Sequence, residues 1–302
     1  MTYALIILKQ IIALFVYAAI GYFMHRGKLL NREGVRSMSN LLLYILLPCV
    51  IVNSFCREST PEVTRALGYS FVLGALLHGV AILISELLFH KAPLDSFSAS
   101  FSNIGYIGVP LIVAALGEDA VLYAVGMIAM LNVLQWTYGQ RMLTRDTGAF
   151  QWKKAFINPL VISVTIGLFF YFLPIEMPPL LHNCVSAVAD CNSPIAMVIL
   201  GYYVHEIPFK QMFTLPAAYA VSAVRLLLIP LCSLLLLAWL PVSSDIKLAL
   251  MLSAASPVGV NAAIYAERTG HDYARAVIMV CLSTLLSLLS MTFLIWLSAK
   301  LF

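Results

Sequence analysis

Charged residues are scarce in this sequence. Only 11% of the 302 residues are Asp, Glu, Lys or Arg, whereas 62% are hydrophobic and the mean hydropathy is +0.94. This composition excludes an ordinary soluble domain. The chain also lacks basic runs and interleaved basic and aromatic residues, which excludes a nucleic-acid-binding surface of the usual kind.

The motifs of common enzymes and metal sites are missing as well. The sequence contains no HExxH, GxSxG or P-loop motif, and its six cysteines form no CxxC pair. All six cysteines fall inside apolar runs, so we interpret them as small packing residues rather than disulfides or metal ligands. We therefore predict no enzyme, no metal site and no cofactor. An intramembrane enzyme that uses His78 or Asp190 is a remaining alternative.

Apolar runs of about 20 residues, each long enough to span a bilayer, recur along the chain. The first run lacks the basic start and the small-residue cleavage site of a signal peptide, so we interpret it as a span. The longest polar connection, residues 143–156, separates a first set of five spans (1–142) from a second (157–302). The ten predicted spans are 4–24, 36–56, 66–89, 95–116, 120–142, 157–174, 181–204, 215–240, 246–267 and 272–300.

Lysine and arginine residues predict the orientation of the chain in the membrane. Twelve of the eighteen lie after odd-numbered spans, five lie on the opposite side, and Arg225 lies inside span eight. Because cytoplasmic loops are enriched in these residues, loop 143–156 is predicted to be cytoplasmic and both termini to be outside.

The two sets of spans show weak internal similarity. Pro48 matches Pro194 at an offset of 146 residues, and the Gly-Glu-Asp at 117–119 matches the Gly-His-Asp at 270–272. Because five is an odd number, two such repeats must have opposite orientations in the membrane. Inverted repeats are typical of transporters that work by alternating access around a midplane site.

Spans four and nine are each interrupted near the middle, at 101–113 (FSNIGYIGVPLIV) and 252–264 (LSAASPVGVNAAI). The backbone groups that proline and glycine free in a span must face protein or a water-filled cavity. Pro110 suits the first turn of a new half-helix, whose free N–H groups would point inward. The predicted substrate-binding residues are Asn103, Gly105, Tyr106, Gly108, Pro110, Ser256, Pro257, Gly259 and Asn261.

Two opposed half-helix N-termini favour an anion, most plausibly a carboxylate, to which Asn103 and Asn261 would donate hydrogen bonds. The alternative is a pair of proline kinks with no ligand. Unwound carbonyl groups near Ser253 and Ser256 could hold Na⁺, so coupling to Na⁺ or H⁺ is left open.

Further candidates for the cavity or for ion coupling lie in other spans. Kinked helices around Pro48, Asn53, Asn192 and Pro194 either line the same cavity or only pack. Ionisable residues inside spans are costly and therefore suspect. We expect Asp190 and Arg225 to form an ion pair, with a structural pair or snorkelling as the alternative for Arg225. His78 is either a proton relay or a buried neutral histidine.

Several motifs, taken in order, resemble one family along essentially the whole chain. They are GYFMHRGKLLN, LLLYILLPCVIVNSF, SNIGYIGVPLIVAALG, INPL at 157–160, SPIAMVILG at 193–201 and SAASPVGVNAAIYAERTG. The chain resembles the auxin efflux carrier family, which includes plant PIN carriers and bacterial carboxylate transporters. The long cytoplasmic loop of many plant members is reduced here to about fourteen residues, which weakens the case for auxin itself.

The resemblance implies an all-α membrane fold of ten helices in two inverted five-helix repeats. Helices four and nine would be broken and would cross, as in folds similar to sodium/proton antiporters and bile-acid symporters. Helices 1, 2, 6 and 7 would form a scaffold domain and homodimer surface, and helices 3–5 and 8–10 a transport domain.

The predicted function is a secondary transporter that moves a small mono- or dicarboxylate by alternating access, in a bacterial inner membrane. Two alternatives remain: a Na⁺- or H⁺-coupled symporter of a bile-acid-like or other solute, and a transporter-like receptor without transport.

Overall fold

The regular elements of the protein are helices. The computed structural model describes residues 2–56, 59–145, 157, 159–173, 177–207 and 209–302. Within these residues seven helices are long and apolar enough to cross a membrane, which confirms an integral membrane protein. They are α1 (Thr2–Arg26), α2 (Arg32–Phe55), α3 (Pro61–Phe89), α5 (Glu118–Thr144), α7 (Pro179–Glu206), α8 (Pro216–Ala238) and α10 (Tyr273–Leu301).

The other three predicted spans contain shorter helices. Helix α6 covers Pro159–Phe172. Span four consists of α4a (Pro93–Ser100) and α4b (Ile104–Leu116), and span nine of α9a (Ser244–Ala254) and α9b (Asn261–Thr269). A helix or a pair of half-helices thus occupies each predicted span, although the number of membrane crossings stays a prediction. Most of the predicted linker, residues 146–156, lies outside the described residues.

Three spans contain a π-helical turn that ends two residues before a proline. The turns cover Leu42–Leu46 before Pro48, Ile104–Gly108 before Pro110, and Val224–Leu228 before Pro230. Proline cannot donate a hydrogen bond to the carbonyl group four residues back, and a widened turn accommodates this loss without ending the helix. Pro194 has a different effect, since α7 is interrupted at Cys191, three residues before it.

Glycine residues allow two helix pairs to approach at backbone distance. A Cβ atom on Gly201 of α7 would lie 1.8 Å from the Ala18 carbonyl oxygen of α1. A Cβ atom on Gly126 of α5 would lie 2.3 Å from the Phe71 nitrogen of α3, next to the Ser70 hydroxyl that accepts from the Gly126 N–H. Small residues at such contacts let helices pack without a hydrophobic driving force.

The two matching Gly-x-Asp segments each begin with a glycine of positive φ that ends a half-helix. Gly117 ends α4b with φ +90°, and Gly270 ends α9b with φ +74°. Only glycine adopts these angles at little cost, so each residue ends its half-helix and turns the chain toward the next one. The sequence match therefore corresponds to the same structural position in each half.

Candidate functional site

The two broken spans meet at their breaks, as predicted, and this meeting point is called the crossing. Ser102 and Val258 form an antiparallel bridge. The Asn103 N–H donates to the Pro257 carbonyl at 2.8 Å, and the Gly259 N–H donates to the Phe101 carbonyl at 3.0 Å. A Cβ atom on Gly259 would lie 3.3 Å from the carbonyl oxygens of Phe101 and Ser102, so glycine permits this approach. The crossing thus satisfies backbone groups that the breaks leave free.

The first break lies closer to the N-terminus than the proline suggested. The helix ends at Ser100 and restarts at Ile104, so the extended residues are Phe101–Asn103. Regular α-helical turns begin at Val109 with Pro110 in the first turn, but the π-helical turn precedes them without a gap. Pro110 therefore lies in the first turn of regular α-helix, as predicted, but the half-helix itself begins six residues earlier, because the widened turn tolerates a proline inside a continuous segment.

The predicted ion pair between Asp190 and Arg225 was also wrong. Asp190 is exposed on α7. Arg225 is only 2% exposed, and its guanidinium donates to the carbonyl groups of Ala99 (3.1 Å), Ser100 (3.2 Å) and Ala254. These carbonyls end α4a and α9a, where helix dipoles place partial negative charge. The arginine is therefore compensated by backbone, a partner that sequence spacing does not reveal.

The opposite ends at the crossing are the N-termini of α4b and α9b. Asn103, which precedes α4b, is 4% exposed and its Nδ2 has no hydrogen-bond partner in the described residues. Asn192 of α7 donates to the Gly105 carbonyl at 3.0 Å, and its Oδ1 is likewise unpartnered there. Buried amide groups without partners are rare in proteins and indicate a missing ligand or water.

A cavity of about 460 Å³ lies beside α4b and is called the Glu118 cavity. Polar residues of α1, α2 and α7 line it opposite α4b and the start of α5. Its charged lining residues are Glu118, Asp119 and Asp190, with His182 also present and no lysine or arginine among the described lining residues. The predicted residues Asn53, Pro110, Asp190, Asn192 and Pro194 are brought together here.

A second cavity, of about 440 Å³, is called the Arg268 cavity. It lies between α2 and α7 on one side and α5, α9b and α10 on the other. Among the predicted site residues its lining includes Asn261, whose amide donates to the Gln135 Oε1 at 3.0 Å. Its charged and aromatic lining residues are Arg32, Glu33, Arg36, Glu267, Arg268, Tyr44, Trp136, Tyr202, Tyr203, Tyr265 and Tyr273.

The two cavities lie on opposite sides of the crossing. Asp95, near the start of α4a, forms an ion pair with Arg275 at the start of α10, which directly follows α9b. The end of α9b and the start of α4a are therefore on one side, with the Arg268 cavity. Glu118 follows the far end of α4b, so its cavity lies on the other side.

The remaining predicted residues line neither cavity. They are Pro48, His78, Asn103, Gly105, Tyr106, Gly108, Arg225, Ser256, Pro257 and Gly259. His78 is buried, and its Nδ1 lies 2.8 Å from the Gly74 carbonyl of its own helix. Asn103 and Asn261 thus do not face one shared cavity in this structure, and their role as substrate ligands stays a prediction.

Sequence reasoning missed two polar residues in α5. Asn132 and Gln135 are 3% and 1% exposed, and the Gln135 Oε1 accepts a hydrogen bond from the Asn261 amide. Their spacing of three residues inside an apolar span would have placed both on one helix face. Buried polar side chains in a membrane span are the signal that was available.

Comparison with known proteins agrees with this architecture. The model of the family described as "Membrane transport protein" matches twice, at residues 6–151 and 141–295. A Rhizobium meliloti (strain 1021) protein named "Putative malonate transporter" is 26% identical over 287 residues, covering 88% of this chain and 87% of that protein. With two family matches that together span nearly its whole length, the chain belongs to the membrane transport protein family, the auxin efflux carrier group that its motifs resemble.

Proposed function

We propose that this protein is a secondary transporter that moves a small organic anion with one or two carboxylates by alternating access. The observation behind this proposal is the distribution of charge at the crossing. Arg225 neutralises the C-terminal ends of α4a and α9a, whereas no carboxylate is hydrogen-bonded to the N-terminal ends of α4b and α9b among the described residues. The remaining potential is positive and favours an anion.

The buried amide groups support a carboxylate. The unpartnered Nδ2 of Asn103 lies where α4b begins, and an amide N–H can donate to a carboxylate oxygen. The name of the Rhizobium meliloti relative contains malonate, which is a dicarboxylate. Neither observation selects between one and two carboxylate groups, so the proposal covers both.

The position of the two cavities supports alternating access. Both lie between a first group, α1, α2 and α7, and a second group that contains α4b, α5, α9b and α10. Movement of one group against the other would open one cavity and close the other around the crossing. This agrees with the proposed scaffold of helices 1, 2, 6 and 7, and such a scaffold could also form the homodimer surface.

The sidedness follows from the lysine and arginine distribution. With loop 143–156 in the cytoplasm, the Arg268 cavity would open to the cytoplasm and the Glu118 cavity to the outside. We propose the inner membrane of a bacterium as the location, with both termini outside.

The first test is thermal stabilisation of the purified protein by a panel of mono- and dicarboxylates, followed by uptake into liposomes. A ligand that binds only the folded state raises the stability by mass action. We expect at least one acid to stabilise the protein and to be transported. Asn103→Ala and Asn261→Ala should each weaken its binding roughly 10-fold or more, since a hydrogen bond to a charged group is lost.

Asn183→Ala is the matched control, because Asn183 is an exposed asparagine of α7 that lines neither cavity. It should bind the acid like the parent protein. If both crossing variants bind and move every acid as well as this control does, the assignment of the site is wrong. If no acid stabilises the parent or enters the liposomes, the proposed function itself fails.

A further inference from the structure

The charge on Arg225 has an unusual set of partners. The side chain is 2% exposed and lies in the π-helical turn Val224–Leu228 of α8. Among the described residues its guanidinium donates to three carbonyl oxygens, two at the end of α4a and one at the end of α9a. A buried cation is tolerated only if its surroundings compensate it. Here the compensation comes from two helix ends rather than from a carboxylate.

The amount of charge at these helix ends matches one cation. Each helix C-terminus is equivalent to about half a negative elementary charge, so two that meet sum to roughly one. A single guanidinium therefore neutralises the pair, and its planar donors reach both helix ends at once. An additional cation at this position would leave an uncompensated positive charge in the middle of the membrane.

We propose that Arg225 is a fixed internal cation, a positioning residue that occupies the place of a dissociable coupling ion and holds the ends of α4a and α9a together. The inference rests on the proposed anion transport and concerns its ion dependence. By holding the two C-terminal ends, Arg225 fixes where the N-terminal ends of α4b and α9b point. Anion binding at the crossing then needs no Na⁺.

His78 is a neighbour that belongs to the same arrangement. It lies on α3, one residue from the position that corresponds to Arg225 in the other half. Its Nδ1 is occupied by the Gly74 carbonyl. Because a histidine side chain is either neutral or positive, His78 supplies no negative charge to Arg225, and the helix ends are its counter-charge.

The parent protein provides the first arm of the test. Binding and liposome uptake of the transported acid are measured in Na⁺, K⁺ and choline media of equal ionic strength and pH. We expect the affinity and the initial rate to agree within about 2-fold in the three media. A 10-fold or greater increase in affinity that only Na⁺ produces would overturn the inference and leave anion transport intact.

Side-chain variants provide the second arm. Arg225→Lys keeps the charge and should retain transport within about 10-fold, whereas Arg225→Met keeps the length without charge. Loss of charge-assisted hydrogen bonds to both helix ends should weaken anion affinity about 100-fold in the folded Arg225→Met protein. Leu226→Ala, at a buried neighbour on α8, should lower stability with unchanged affinity. Equal affinities of the Lys and Met variants would contradict the proposal.

Chemical rescue keeps the test decisive if Arg225→Met does not fold. Arg225→Ala leaves space for a free cation, so low millimolar methylguanidinium should restore at least a tenth of parental uptake or raise the unfolding temperature. The same compound should not rescue Leu226→Ala. Rescue of both variants would show that the compound acts without specificity for this position, and either that result or rescue of neither variant would contradict the proposal.

Discussion

Replacing Gly201 with leucine should lower the free energy of unfolding by about 3 kcal/mol or more, because α1 and α7 would be forced apart. A Cβ atom at this position would lie 1.8 Å from the Ala18 carbonyl oxygen and 2.8 Å from the Tyr22 nitrogen, both backbone atoms that cannot move independently. Gly21 of α1 makes the reciprocal close contact, where an added Cβ atom would lie 1.9 Å from the Val198 carbonyl oxygen. This contact would be lost as well when the two helices separate. Unfolding of the purified protein in detergent, followed by intrinsic fluorescence, measures the effect.

Gly79→Leu is the matched control. Gly79 lies on the exposed face of α3, and a Cβ atom there would meet nothing within 4 Å. Leucine has the higher helix propensity, so this variant should be as stable as the parent or slightly more stable. A Gly201→Leu protein as stable as Gly79→Leu would mean that α1 and α7 do not pack at backbone distance.

Replacing Asp95 with alanine should cost about 2 kcal/mol of stability, because hydrogen bonds between two charged groups are lost, while Arg275, whose side chain is 34% exposed, stays partly hydrated. The pair is bidentate, with Nε–Oδ1 and Nη2–Oδ2 distances of 3.0 and 2.5 Å, and the Asp95 side chain is 6% exposed. The bond joins the start of α4a to the start of α10. Thermal unfolding should therefore show the loss, and anion uptake should fall with it if α4a shifts at the crossing.

The ion pair between Arg32 and Glu267 is the control for this loss. It has a distance of 2.6 Å, but its side chains are 65% and 57% exposed, so Glu267→Gln should change stability by less than about 1 kcal/mol. The double variant Asp95→Leu/Arg275→Met should be more stable than Asp95→Ala, since it removes the Arg275 charge together with its partner. A double variant as unstable as the single one would argue that the site needs the charges for another reason.

The sequence predicted the elements whose signal is local. Long apolar runs determine where helices lie, because a segment in lipid must satisfy its own backbone hydrogen bonds. Proline and glycine marked both broken spans, and the antiparallel bridge between Ser102 and Val258 confirms that these spans meet. The exact position of the first break was missed, because a π-helical turn absorbs Pro110 and the unwound residues precede it.

The partners of the buried polar groups could not be read from the sequence. Arg225 was paired with Asp190 because both are ionisable and lie in the second half of the chain, but its counter-charge is the backbone at the ends of α4a and α9a. Every residue has a carbonyl group, so no residue type marks this interaction. The link from Asn261 to Gln135 joins residues 126 positions apart and likewise depends on how α5 and α9 pack.

By itself, then, the sequence determined an all-helical membrane protein of the auxin efflux carrier group and the two spans that break. These features follow from hydropathy, from the missing N–H of proline and from motifs in a fixed order. Only the tertiary structure decided that Arg225 binds two helix ends, that Asp190 lies apart from it, and that Asn261 lines the Arg268 cavity while Asn103 lines neither cavity. The reason is physical: dipoles and carbonyl groups acquire their direction and their neighbours only when the helices pack.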